Sequence, residues 1–196
     1  MTILYIVLII VVVIAVWLWS TYNGLVRSHT RVDEAFSDIT VQMKRRLDLI
    51  PNIIETVKGF AKQEKSVLLE VTKARNQAIA APEGDLSKQA EADNALSGTL
   101  KTLFAVSENY PDLKSNQNFM QLQGELVDTE DKIQASRRFY NGNVRDFNIK
   151  LKVFPTNMFA GSLGFKPYEF FEVAESERAA VEKPVAVDFD DDAPKK

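Results

Sequence analysis

The sequence predicts an all-α protein. An N-terminal transmembrane helix continues into a long kinked helix of an antiparallel three- to four-helix bundle, and an irregular C-terminal tail follows. Three observations carry this. An unbroken apolar run opens the chain, apolar residues then recur in steps of three and four over most of its length, and the end is acidic and proline-containing. The expected divisions are a membrane anchor over 1–21, a helical bundle over 22–154, an aromatic-rich capping segment over 155–174 and an acidic flexible tail over 175–196.

Residues 3–19 are seventeen consecutive apolar residues, and no charge precedes Arg27. That is at the short end of what spans a bilayer, and Thr2, Ser20 and Thr21 extend it cheaply. Ile3, Leu8, Val13, Trp17 and Trp19 mark the anchor, the two tryptophans sitting where an interfacial aromatic belt places them. A cleaved secretory signal would need a basic start, a shorter apolar core and a small-residue cleavage site, and the chain begins Met1-Thr2-Ile3 without lysine or arginine. Lysines and arginines follow the span but do not precede it, Arg27 and Arg31 being nearest. The positive-inside rule then leaves the N-terminus outside and the bundle in the cytoplasm.

From 22 to 80 the pattern reads as one helix. Its stripe runs Tyr22, Leu25, His29, Val32, Phe36, Ile39, Met43, Leu47, Ile50, Ile54, Val57, Ala61, Glu64, Leu68, Val71, Arg75, Ala78. Two consecutive steps of four at Ile39, Met43 and Leu47 read as a stutter. Pro51 removes one backbone hydrogen bond and kinks the helix without ending it, so Asp48, Pro51 and Asn52 form a polar notch or serve the carbonyl that proline frees. Ala81-Pro82-Glu83-Gly84-Asp85 is a turn, and Asp85 or Ser87 caps a second helix over about 86–107. Tyr110-Pro111-Asp112 breaks it, and Ser115 or Asn116 starts a third, whose stripe runs from Phe119 through Leu126, Ile133, Tyr140 and Phe147 to Leu151 before Phe154-Pro155. The fourth bundle element comes from the membrane-proximal half of the first helix or from the C-terminal segment. That segment holds Phe159, Phe165, Tyr168, Phe170 and Phe171, with a short helical turn expected over 168–174. Val185-Ala186-Val187-Asp188-Phe189 could add as a strand to a partner, a solvated tail being the alternative.

Composition excludes much. With no cysteine there is no disulfide, thiolate ligand or cysteine nucleophile, and one histidine makes a zinc or di-iron site improbable. Residues 172–196 hold eight acids and four bases, leaving twenty bases and nineteen acids elsewhere, so no basic face invites nucleic acid. Glu108, Glu125, Glu130 and Asp131 lack a Glu-x-x-His partner, and His29, beside the membrane on the apolar stripe, reads as a packed or hydrogen-bonded residue. Gly161-Ser162-Leu163-Gly164 lacks the spacing and lysine of a phosphate loop. No cofactor and no catalytic residue are expected. Lys44, Arg45 and Arg46, with Arg137 and Arg138, are candidates to meet anionic lipid or an acidic partner, against the commoner use of helical charges in ion pairs with acids such as Glu130 and Asp131. Tyr22-Asn23-Gly24-x-Val26-Arg27 recurs as Tyr140-Asn141-Gly142-x-Val144-Arg145, and the copies come together only if the third helix brings them level.

These residues carry a resemblance. Tyr22-Asn23-Gly24-Leu25-Val26-Arg27, Val32-Asp33-Glu34-Ala35-Phe36-Ser37-Asp38-Ile39 and Lys44-Arg45-Arg46-Leu47-Asp48-Leu49-Ile50-Pro51-Asn52 come first. Val57-Lys58-Gly59-Phe60-Ala61, Glu108-Asn109-Tyr110-Pro111-Asp112-Leu113-Lys114, Thr129-Glu130 and Arg137-Arg138-Phe139-Tyr140-Asn141 follow, then Phe154-Pro155, Gly164-Phe165 and Phe170-Phe171-Glu172. Over about residues 1–173 the chain resembles the LemA family, with Phe36, Phe60 and Phe147 where that family often has Trp or Tyr. The resemblance implies a single membrane helix, a helical bundle without established enzymatic activity, and a bacterial envelope setting with the N-terminus often drawn outside. It further implies relatives associated with internal membranes in magnetosome-forming bacteria, and others encoded near membrane metalloproteases or envelope-stress proteins. The expected function is a non-enzymatic protein of the bacterial inner membrane that self-associates to organise or remodel it, with lipid and a second copy as partners. The alternative is a membrane-tethered adaptor for an envelope-stress or membrane-protease partner.

Overall fold

The computed structural model describes residues 1–82 and 84–171. Its helices are α1 (Thr2–Phe60), α2 (Lys65–Ala80), α3 (Leu86–Ser107), the single turn α4 (Pro111–Lys114) and α5 (Gln117–Lys152), followed by a 3-10 turn at Thr156–Met158. The expected all-α architecture is what forms, without strands among the described residues. Asp85 caps α3 by accepting from the Lys88 amide at 3.1 Å, and Asn116 caps α5 by accepting from the Phe119 amide at 3.1 Å.

α1 and α5 lie antiparallel over most of their length. Lys150 meets Ser28, Phe147 meets His29, Tyr140 meets Phe36 and Glu130 meets Arg46, one number rising as the other falls. α2 folds back along α1, so that Arg75 reaches Leu47. α3 is antiparallel to α5, Asp93 reaching Arg137 and Phe104 reaching Phe119. The result is an up-down-up-down bundle of α1, α2, α3 and α5.

Two expectations are corrected here. The stretch 22–80 is not one helix: α1 ends at Phe60, and a turn over 61–64 sends the chain back. Lys62, Gln63, Glu64, Lys65 and Ser66 form a polar run, and Glu64, placed on the apolar stripe by its spacing, accepts a hydrogen bond from the Tyr110 hydroxyl at 2.8 Å instead. Burial of Ala61 and of the α2 stripe Leu68, Val71 and Ala74 against α3 outweighs propagation of the helix. The fourth bundle element is therefore α2, the last sixteen residues of the supposed long helix, and neither its membrane-proximal half nor the C-terminal segment.

The phase does not shift either. Leu25, Val32, Ile39, Arg46 and Ile53 are all buried at a strict spacing of seven, so the supposed stutter is absent and the inward face includes Arg46. α5 repeats the spacing with Phe119, Leu126, Ile133, Tyr140 and Phe147. A seven-residue repeat on antiparallel helices is coiled-coil-like packing. It makes two apolar cores. The distal one holds Ile50, Ile53, Val57, Leu96, Leu103, Leu113 and Phe119 among others. The membrane-side one is built on Leu25, Val32, Ala35, Ile39, Tyr140, Val144, Phe147, Ala160 and Phe171.

Pro51 lies inside α1. Its missing amide would have bonded Leu47, and the Arg75 Nε of α2 donates to that carbonyl at 2.9 Å. Asp48 and Asn52, the other notch residues, face solvent. The two Tyr-Asn-Gly repeats do not come level: Tyr140 is opposite Phe36, fourteen residues and roughly 20 Å of helix from Tyr22. The strand expected over 185–189, the acidic tail and residues 172–174 lie outside the described residues. The described part of the expected turn, 168–171, is not helical.

Arg75→Met should destabilise the bundle by roughly 1–2 kcal/mol, the cost of an acceptor left unpaired. In a Pro51→Ala background the backbone amide restored at position 51 reaches the Leu47 carbonyl, and most of that loss should vanish. Urea unfolding of the four chains of this double-mutant cycle in detergent checks it.

Candidate functional site

Between the two cores lies a buried polar layer. Arg46 of α1, Asp93 of α3 and Arg137 of α5 are 1%, 2% and 4% exposed. Arg46 Nη1 donates to Asp93 Oδ1 at 2.7 Å and to Ser97 Oγ at 2.9 Å, while Nη2 pairs with Glu130. The Ser97 hydroxyl and the Gln134 amide each donate to Glu130 at 3.0 Å. Arg137 pairs with the second Asp93 oxygen and donates to Asn94 Oδ1 at 3.1 Å. The Phe171 ring covers its guanidinium carbon at 4.7 Å. Two cations and two anions cancel within the layer. Burial lowers the Arg46 guanidinium from its ordinary pKa, opposed by Asp93, and it stays protonated.

This corrects the expectation for Arg46 and Arg137, which no lipid or partner surface can reach. Arg46 pairs with Glu130, one of the acids named for an ion network; Asp131 is exposed and takes no part. Lys44, Arg45 and Arg138 stay on the surface. Arg45 lies near enough to Asp128 to help hold that carboxyl below its usual range, after the hydrogen bond from Lys132. The spacing of seven from Leu25 was the signal that separates Arg46 from its two basic neighbours.

A second constellation sits at the membrane end. From the membrane end the C-terminal segment runs back along α5 away from the bilayer, clasped by two asparagines to which sequence reading gave no such role. Asn148 accepts from the Tyr168 amide at 3.0 Å and donates to its carbonyl at 2.9 Å. Asn141 does the same for Phe171 at 2.8 and 3.0 Å. They lie seven residues apart on α5, so both point the same way. The Tyr140 hydroxyl adds a bond to the Glu169 carbonyl at 3.0 Å. Tyr168 donates to Asp33 and stands 3.1 Å from His29 Nε2, whose other nitrogen is 3.1 Å from Asp33. Phe165 stacks obliquely on Tyr22 and His29, and Phe159 meets Trp17 edge-on with ring centres 5.9 Å apart. His29 is thus packed and hydrogen-bonded.

The aromatic segment expected to dock a partner is therefore largely occupied within the chain. Phe171 is buried, Phe159, Phe165 and Tyr168 are half-buried, and Phe170 faces outward. Burial raises the Tyr140 hydroxyl to about 12, Asp33 and Glu169 adding to it. Tyr168 moves up for the same first reason, helped by its bond to Asp33. No three His, Asp or Glu side chains among the described residues converge as metal ligands. The anchor residues Ile3, Leu8, Val13, Trp17 and Trp19 are exposed on a helix whose apolar window buries nothing within the chain, as a surface meant for lipid requires.

The model of the LemA family matches residues 35–189. The chain belongs to the LemA family. Protein LemA of Metamycoplasma hominis is 28% identical over 160 residues, covering 82% of this chain and 73% of the relative. Magnetosome protein MamQ of Magnetospirillum gryphiswaldense is 24% identical over 188 residues, covering 84% and 68%. Magnetosome protein MamQ 1 of Paramagnetospirillum magneticum is 26% identical over the same shares. Together with the apolar helix, these findings mark a membrane-associated bacterial LemA-family protein.

Two outcomes follow. Arg46→Ala should cost about 3–5 kcal/mol by stranding Asp93 and Glu130, whereas Arg45→Ala should stay within about 0.5 kcal/mol; urea unfolding compares them. Tyr140 has a folded pKa above its ordinary 10.0, so its contribution is present below pH 10 and lost as pH rises to about 12. Tyr140→Phe should start less stable and fall less over that window in an alkaline titration followed by circular dichroism. The part of the fall that Tyr168 carries should remain.

Proposed function

We propose that this protein is a non-enzymatic organiser of the bacterial inner membrane, anchored by α1, with its N-terminus outside and its bundle in the cytoplasm. Copies associate side by side through the bundle and impose their packing geometry on the bilayer. One observation carries the reading: α1 runs from Thr2 to Phe60 without a break, so the membrane span and the first bundle helix are one rod. A rod cannot reorient its bundle without tilting its span, and crowding between bundles is felt as wedge stress in the lipid. The clasped C-terminal segment stiffens the joint, since Phe159 and Phe165 brace α1 at Trp17 and Tyr22. Relatives named magnetosome proteins support a membrane-organising role. Exposed Val41 on α1 and Phe139 on α5, at neighbouring levels of the helix pair, offer apolar lateral contact, with Lys44, Arg45 and Arg138 beside them as exposed charge.

The alternative, an adaptor for an envelope-stress or membrane-protease partner, has less to stand on. Its docking rings are mostly committed within the chain, leaving Phe170 outward.

Full-length protein reconstituted in liposomes should crosslink mainly to itself and deform the vesicles. A Gly-Ser insertion between Ser20 and Thr21 should leave crosslinking intact and abolish deformation. A strict monomer on spherical vesicles would sink the proposal, and stoichiometric crosslinking to foreign proteins in cells would favour the adaptor.

A further inference from the structure

α5 ends at Lys152, opposite the level of Gly24 on α1, and the chain then runs upward until Phe159 meets Trp17. Loop 153–164 therefore occupies the level of residues 17–24, where α1 leaves the hydrocarbon. The interfacial zone on each side of a bilayer is about 5–7 Å deep, so roughly five of these eight residues of helix lie within it. On this loop Phe154 is 78% and Met158 75% exposed, with Val153 and Leu163 also outward. These are different side chains from Phe159, Phe165 and Phe171, which turn inward.

Part of the loop's backbone is bonded within the loop. The amides of Asn157, Met158, Ala160, Leu163 and Phe165 all bond carbonyls between Val153 and Gly161, at 2.9–3.1 Å. Gly164, at φ 85°, closes it in a conformation other residues resist. Each such internal bond lowers the cost of moving the loop into a less polar environment. Exposed Lys152 and Lys166 flank the apolar tip, placed to reach headgroup phosphates.

We infer that loop 153–164 is a second membrane contact, seated in the interface of the leaflet that α1 leaves, with Phe154 and Met158 among phospholipid glycerol and upper acyl groups. This rests on α1 spanning the bilayer and is independent of self-association. With its span and its loop both held by lipid, each protomer fixes its rotation about α1 as well as its depth. That rotation decides which bundle faces meet.

The chain has no cysteine, so a single introduced thiol reports alone. Full-length Phe154→Cys and Met158→Cys, labelled with a nitrobenzoxadiazole fluorophore in phosphatidylcholine–phosphatidylglycerol nanodiscs, are compared with Val11→Cys in the span and Val127→Cys in the distal bundle. Labels at 154 and 158 should emit to the blue of that at 127, lose intensity to shallow doxyl-labelled lipid and resist aqueous iodide. Behaviour matching Val127 would place the loop in water and overturn the inference. Blue emission without doxyl quenching would mean that a second copy covers the loop, which also overturns it. A water-exposed label at Val11 would instead defeat the spanning helix itself.

Discussion

The structure depends on one hydrogen-bond ladder that continues while its surroundings change. Over residues 3–19 the α1 backbone has only itself to bond in hydrocarbon, which makes helix obligatory there. Beyond Trp19 water would allow the ladder to end, yet it runs to Phe60 because a buried face takes over at once: Leu25, then Ser28, Val32 and Ala35. What buries that face is α5 and the segment its asparagines hold. The joint between membrane and bundle is thus where α1 residues 17–29 meet the segment 159–168, whose rings brace it at Trp17, Tyr22 and His29.

The polar layer below the joint has a different task. Two apolar helices with a seven-residue repeat pack nearly as well after sliding by one repeat. Arg46, Asp93, Arg137 and Glu130 form their ion pairs in one register, and any slip would strand buried charge. The layer costs desolvation and returns a single alignment of α1, α3 and α5. Arg75 acts similarly at the proline, tying α2 to the one α1 carbonyl that has no amide of its own.

Much of this was legible beforehand because it is local. The span is set by an apolar run, and α3 and α5 begin where Asp85 and Asn116 can cap them. What was not legible is decided by tertiary burial. No glycine or proline marks the reversal at 61–64, so the spacing carried the helix across a polar run that only packing of α2 on α3 turns around. Arg46 was grouped with Lys44 and Arg45 by charge, although its spacing from Val32 and Ile39 already placed it inward. The Asn141 and Asn148 clasp could not be foreseen, since its partners are backbone groups thirty and twenty residues away.

The membrane-facing reading of the whole chain therefore turns on whether α1 stays helical between span and bundle in lipid. Amide hydrogen exchange across residues 20–31, followed in nanodiscs by mass spectrometry, measures this directly. Protection comparable to that of Val32 to Ile39 is the predicted result; exchange at the rate of an unstructured peptide would show a free hinge and contradict the account.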